Sequence, residues 1–275
     1  MTTAHASLPA AGARPVGALL REWRQRRRLS QLDLACEAEI SARHMSFLET
    51  GRARPSRAMV LHLAERLDIP LRERNVLLHA AGYAPVFTQR SLDDPALAPA
   101  RRAVDLVLAG HAPYPALAVD RHWTLVAANA AVTPLLQGVA PALLEGAVNV
   151  LRLSLHPDGL APRIANLRQW RAHLLERLRQ QIETSADPVL AALRAELQDY
   201  PAGHGQDGAA DQDAAADYAG VAVPLQLHSE QGLLSFISTT TVFGTPVDVT
   251  LSELALETFF PADAATAERL RSLAG

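Results

Sequence analysis

Leu29-Ser30-Gln31-Leu32-Asp33-Leu34-Ala35, then Ile40-Ser41, then Leu48-Glu49-Thr50-Gly51-Arg52, then Pro55-Ser56, is the stretch from which the fold of the first part of this chain is read. Ser30 has a side chain able to cap a helix over 31–38, with Leu32, Leu34 and Ala35 as its apolar positions. A third helix begins after Ser41 and ends at Gly51, which takes the left-handed conformation of a helix C-terminus without steric cost. Upstream, Val16, Leu19, Leu20 and Trp23 have the one-face spacing of an amphipathic helix that runs into Arg26-Arg27-Arg28 and ends near Arg28. Downstream, Pro55-Ser56 opens a fourth helix through Leu67, and Pro70 permits a fifth over 71–81, closed by Gly82. The expectation is an all-α unit of five short helices over 16–83.

This pattern resembles the helix-turn-helix of the Cro/C1-type repressors, the XRE family, over about residues 16–81: capping serines, apolar spacings, glycine and proline fall in one register. The resemblance implies a DNA-binding domain whose third helix enters a major groove about 12 Å wide. It places Ser41, Ala42, Arg43 and His44 at base edges or phosphates, with Phe47 one turn further on the same face. Arg43 is the side chain there able to pair bidentately with guanine. Gln31 matches a position that hydrogen-bonds phosphate, and Arg52 and Arg54 lie in the loop that approaches the backbone; each could equally be a solvated side chain or a local cap. Arg43, Arg52, Arg54 and Arg57 share one side of the motif. Arg24 and Glu49 match an internal brace, the alternative being two separate surface charges. Arg28 and Glu39 stand where the family commonly has glycine, and a side chain forced to positive φ there costs on the order of 1 kcal/mol. The run Arg26–Arg28 is either a solvated helix end or a phosphate contact.

Charge divides along the 275-residue chain in the same sense. Residues 1–83 hold 13 arginines against 8 carboxylates, a net +5, and the remainder holds 13 against 21, a net −8. A basic front and an acidic back point to different partners. All basic side chains are arginine, from which no function is drawn. The composition, 49% apolar and 20% charged, is globular. Cys36 is the only cysteine, which excludes a disulfide framework and a cysteine-rich zinc site and fits the cytoplasm. No run approaches the ~20 apolar residues of a membrane span, and residues 1–15 have neither the basic start nor the apolar run of a leader; they read as a disordered arm.

Residues 84–100 carry three prolines and read as a linker. Beyond it, 101–111 reads as a helix, and Ala116–Val119 with Trp123–Ala128 as a hairpin around Asp120-Arg121-His122. Ile164, Leu167, Trp170, Leu174, Leu178 and Ile182 keep a helical stripe, continued by Leu190, Leu193 and Leu197 after Pro188. Residues 200–220 are rich in Gly, Ala and Asp and read as a loop, after which 221–228, 233–243 and 247–259 read as strands. With the helical 129–136 and the segment 149–155, this order resembles the MmyB-like ligand-binding domain, a PAS-like module, over about 101–260; only the 201–220 loop departs from it. The fold class is therefore α+β: a five-helix domain followed by a PAS-like α+β domain over 101–275.

The resemblance implies a cavity for an apolar, acyl-chain-like ligand. Trp123, Leu125, Leu136, Leu151, Leu153, Trp170, Leu174 and Phe236 are apolar in the right elements, although a plain core would use the same residues. His156, Arg163 and His173 are the polar groups placed to meet a head group, or else lie on the surface. Enzyme signatures such as G-x-S-x-G, H-E-x-x-H, a P-loop or G-x-G-x-x-G are absent, and no cofactor is implied. The function expected is a cytoplasmic, homodimeric, sequence-specific regulator that binds double-stranded operator DNA under control of a small apolar effector. The alternative is a regulator whose second domain serves only dimerisation or a protein partner.

Overall fold

The computed structural model describes residues 14–201, 222–244 and 248–274, which fall into two units, one ending at Thr88 and one beginning at Gln89. The first is five helices: α1 (Val16–Arg26), α2 (Gln31–Glu37), α3 (Ala42–Glu49), α4 (Arg57–Arg66) and α5 (Leu71–Ala80). Serine hydroxyls cap three of them, Ser30 accepting from the Asp33 amide, Ser41 from His44 and Ser56 from Met59, each at 3.1 Å. Asp33 returns the bond to the Ser30 amide, completing a capping box.

The helix ends explain the missing glycines. Arg28, Glu39 and Asp68 sit at φ of 57°, 53° and 46°, and Gly82 at 85°, each two residues past the last residue of a helix. The next amide then turns back: Leu29 donates to the Arg24 carbonyl, Ile40 to Ala35, Ile69 to Ala64 and Tyr83 to Leu78, closing a Schellman motif each time. An apolar residue follows every left-handed position, so the local steric cost is offset by burial and by otherwise orphaned carbonyls finding donors. Arg27 adds to the end of α4, donating to the Leu67 and Asp68 carbonyls at 2.7 and 2.9 Å. In the Arg26–Arg28 run, Arg26 pairs with Glu22, so two of the three are committed within the fold. Gly17 is required by packing, because a Cβ there would stand 2.3 Å from the Leu48 carbonyl oxygen.

The second unit is a five-stranded antiparallel sheet with strand order β2-β1-β5-β4-β3, formed by β1 (Ala116–Val119), β2 (Leu125–Ala128), β3 (Leu225–Ser229), β4 (Gly232–Val242) and β5 (Ala255–Pro261). Alternation along β1 sorts its side chains by size. Ala116 and Ala118 join Val104 and Leu108 of α6 (Ala98–Gly110) in one cluster, while Leu117 and Val119 face the larger core. That core is completed by α7 (Val150–Leu155), α8 (Leu167–Ser185) and α9 (Pro188–Asp199).

Several expectations need correction. Segment 84–100 is not a uniform linker: the Val86 and Phe87 amides bond the Asn75 side chain of the first unit, whereas Arg90 pairs with Asp248, and Leu97 is buried. Two of the three prolines that read as linker serve as helix starts, Pro95 in a 3-10 turn over Pro95–Leu97 and Pro99 in the first turn of α6, which therefore begins three residues early. Ala130–Leu136 is 3-10 rather than α-helical, with Pro134 inside it. Ile164 lies outside α8 and bridges Leu227 of β3. Strand β3 begins at Leu225, not 221. The 247–259 strand is interrupted: the Asp248 carboxylate accepts from the Thr250 amide and starts a short helix, α10 (Val249–Ser252), before β5. A final helix, α11 (Ala264–Ala274), was not anticipated; Asp263 accepts from the Thr266 amide at its start, and Leu270 packs it to the core. The 1–13 arm and most of the 200–220 loop lie outside the described residues.

Candidate functional site

In the first unit the candidate residues lie at the start of α3 and in the loop after it. Ser41, Ala42 and Arg43 are exposed, while His44 and Phe47 are half-buried. The Arg43 and Arg52 guanidinium carbons lie 5.3 and 5.8 Å from the centroid of the Phe47 ring. The ring thus gathers two cations, an arrangement worth roughly 0.5–1 kcal/mol each at exposed sites. The Ala53 amide donates to the Phe47 carbonyl at 3.0 Å, fixing the loop that carries Arg52. Neither Arg43 nor Arg52 forms an ion pair among the described residues, so both charges face outward.

Two of the expected phosphate ligands are otherwise engaged. Gln31 donates an amide hydrogen to Glu49 at 2.7 Å, and Arg54 donates to the Ala81 carbonyl at 3.2 Å, capping α5. Local geometry explains both: Gln31 is the first residue of α2 beside the end of α3, and Arg54 packs against Gly82, where a Cβ would touch its guanidinium. The Arg24–Glu49 brace is present, with bonds of 2.6 and 2.9 Å. Burial alone would raise the Glu49 carboxyl, but hydrogen bonds from Arg24 and Gln31 and the attraction of Arg24 hold it below its ordinary value.

In the second unit a cavity of about 310 Å³ opens between the sheet and α7, α8 and the 3-10 segment 130–136. Its wall includes Trp123, Leu125, Leu136, Leu151, Leu153, Trp170, Leu174 and Phe236, the eight apolar candidates. Trp123 is held at φ 66°, an outlier for an aromatic residue. Its surroundings over-determine it. The Asp120 carboxylate accepts from the His122 and Thr124 backbone amides, the Asn149 side-chain amide donates to the His122 carbonyl, and the Val150 backbone amide donates to that of Trp123. The indole N–H of Trp123 donates to Gln181 at 2.8 Å, and that of Trp170 to the Ser154 hydroxyl at 3.0 Å.

The polar wall differs from expectation. His156, Arg163 and His173 do not line the cavity. The His156 ring accepts from the Asp158 amide and meets Tyr200 edge-on; Arg163 spends its guanidinium on the carbonyls of Leu135, Gln137 and His228; and His173 stacks on Trp170. Burial, with Arg177 nearby, pushes the His173 imidazole below its ordinary value. In their place stand Ser154, Ser238, Arg177 and Glu257. Arg177 on α8 donates to both carboxylate oxygens of Glu257 on β5, at 2.6 and 3.1 Å, and lies 4.5 Å from the Trp123 ring centroid. The readable signal was Glu257 itself, a carboxylate amid the apolar run Ala255–Phe260, which a strand keeps only where a partner meets it.

Among the described residues no helix is long and apolar enough to cross a membrane, and no group of metal-ligating side chains converges. A helix-turn-helix domain model matches residues 15–77, and the model of the MmyB-like transcription regulator ligand binding domain matches 100–273. No curated protein matches the chain. Among solved structures, an RNA-binding light-oxygen-voltage receptor aligns at 16% identity and a TM-score of 0.25, over 96% of this chain and 65% of its own, a likeness that carries no argument. With a helix-turn-helix whose Arg43 and Arg52 face outward and a sheet-walled cavity in the matched ligand-binding domain, the chain belongs to the MmyB-like transcription regulators and is a DNA-binding regulator with a ligand-binding domain.

Proposed function

We propose that this regulator reads a specific operator as a homodimer in the cytoplasm, and that an apolar, acyl-chain-like molecule in the second unit sets its DNA affinity by binding rather than by catalysis. The observation that carries the reading is the 310 Å³ cavity walled by two tryptophans, leucines and Phe236 in a matched ligand-binding domain. Burying a methylene contributes about 0.8 kcal/mol, so a long chain has several kcal/mol available after ordering costs. A homodimer is part of the proposal because one helix-turn-helix spans few base pairs, and useful affinity generally needs two half-sites about 34 Å apart. Regulation further requires the ligand to favour one arrangement of the DNA heads, with a typical coupling of ~1–3 kcal/mol. Calorimetry across a series of straight chains, followed by operator titration with and without the best binder, tests the ligand. Sedimentation tests the dimer. No binding at any length would favour the protein-partner reading; binding without a shift in operator affinity would remove the regulatory role; a monomer on one half-site would remove the dimer.

On the DNA side, Arg43 is the base reader and Arg52 the phosphate contact, both positioned by Phe47. Arg43→Ala should cost ~1–3 kcal/mol and relax preference at one base pair, whereas Arg52→Ala should weaken all sequences alike and reduce the salt slope by about one. Arg54→Ala should act on stability more than on the slope, because its guanidinium caps α5. Competition titrations on operator variants at two or more salt concentrations decide it, and an unchanged base preference in Arg43→Ala rules the assignment out.

A further inference from the structure

The charged pair in the cavity wall restricts the ligand's head group. The two indole N–H groups are spent on Gln181 and Ser154. Arg177 donates twice to Glu257 and once to the Thr240 hydroxyl, and Thr240 donates in turn to Glu257. A guanidinium has five N–H groups, so Arg177 keeps two that have no partner among the described residues. One Glu257 oxygen accepts from both Arg177 and Thr240, whereas the other accepts from Arg177 alone and keeps a lone pair. The hydroxyl of Ser238, diagonal to Glu257 across the β4–β5 ladder, makes no hydrogen bond among the described residues.

We propose that the ligand is an apolar chain ending in an uncharged head that both donates and accepts a hydrogen bond, in the simplest case a hydroxyl, and not a free carboxylate. This deepens the reading of the cavity as a ligand site and rests on it. Among the described residues the wall balances one cation, Arg177, against one anion, Glu257. A carboxylate brings no donor for Glu257 and places a second negative charge in a site walled mostly by apolar side chains, where neighbouring carboxylates disfavour joint ionisation. A hydroxyl accepts from Arg177, donates to Glu257 or Ser238, and leaves the charge balance untouched.

Calorimetry on the full chain at pH 8 with decanol, methyl decanoate and decanoate tests this. Decanol should bind about tenfold or more tightly than decanoate, with the ester, which accepts but cannot donate, between them. In Glu257→Gln the anion is gone and Arg177 is uncompensated, so the order should invert, with decanoate about tenfold tighter than decanol. Should that variant fail to fold, Ser238→Ala serves: it should lower decanol affinity by roughly threefold to tenfold and keep the order. Decanoate binding the parent protein as tightly as decanol, or more so, overturns the head-group assignment and leaves the ligand site standing. If none of the three binds, the assignment and the ligand site fall together.

Discussion

Glu49→Ala should destabilise the first unit by about 3–5 kcal/mol, the range for removing one member of a buried ion pair. The Arg24 and Glu49 side chains are 9% and 2% exposed, and Arg24 also donates to the Leu29 carbonyl at 2.7 Å, so one guanidinium ties the ends of α1 and α3. Without Glu49 that cation stays buried with a carbonyl as its remaining partner, and Gln31 loses its acceptor. Replacing both Arg24 and Glu49 by leucine should cost far less, because no charge is then left unpaired. The pH dependence follows from the lowered Glu49 carboxyl. A carboxyl depressed in the folded state contributes its full stability above the ordinary glutamate value of about 4.5 and loses it as pH falls through the folded value. The parent first unit should therefore weaken below about pH 4.5, and the double leucine variant should weaken less. Hydrogen exchange of amides in 16–81 of the full chain measures this unit separately from the second. A Glu49→Ala loss below about 1 kcal/mol would mean the pair behaves as a surface one.

The first unit was legible because its elements are specified locally. Ser30, Ser41 and Ser56 cap the helices they precede in sequence, and the boundaries differ from expectation by a residue or two. Even the positive φ at Arg28 and Glu39 followed from the absence of glycine in a pattern that demands a left-handed residue. The second unit was legible in its apolar periodicities and opaque in its polar partners. Trp170 and Phe236 line the same cavity because helical spacing and strand alternation decide which side a residue faces. The side chain that meets Glu257, by contrast, lies 80 residues earlier on another element, and no local pattern announces such a pairing. His156 and His173 read as head-group ligands or else as surface residues; in the fold one meets Tyr200 and the other stacks on Trp170. Asp248 misled for the opposite reason. It caps a helix set in a stretch whose β-like composition outweighed a single capping carboxylate.

Phe236→Ala should shift the preferred chain length of the ligand upward while destabilising the second unit by about 3 kcal/mol, the lower end for truncating a buried phenylalanine. Phe236 is fully buried, stands opposite Leu225 across the β3–β4 ladder and meets Phe259 edge-on at 6.2 Å. One side of its ring already borders the cavity, so truncation loses contacts on the remaining sides only. The space vacated joins the cavity rather than forming a new void. In the parent protein affinity should rise by about 0.8 kcal/mol, roughly fourfold, per added methylene until the chain fills the cavity, and then level off. In the variant the rise should continue for further methylenes before levelling. The longer chain should also restore stability, since a ligand at a hundred times its dissociation constant contributes about 2.7 kcal/mol to the state that binds it. Calorimetry with straight-chain alcohols of increasing length, and thermal unfolding with and without the longest binder, measure both effects. If parent and variant level off at the same chain length, Phe236 does not bound the bound chain, and the ligand lies against another part of the wall.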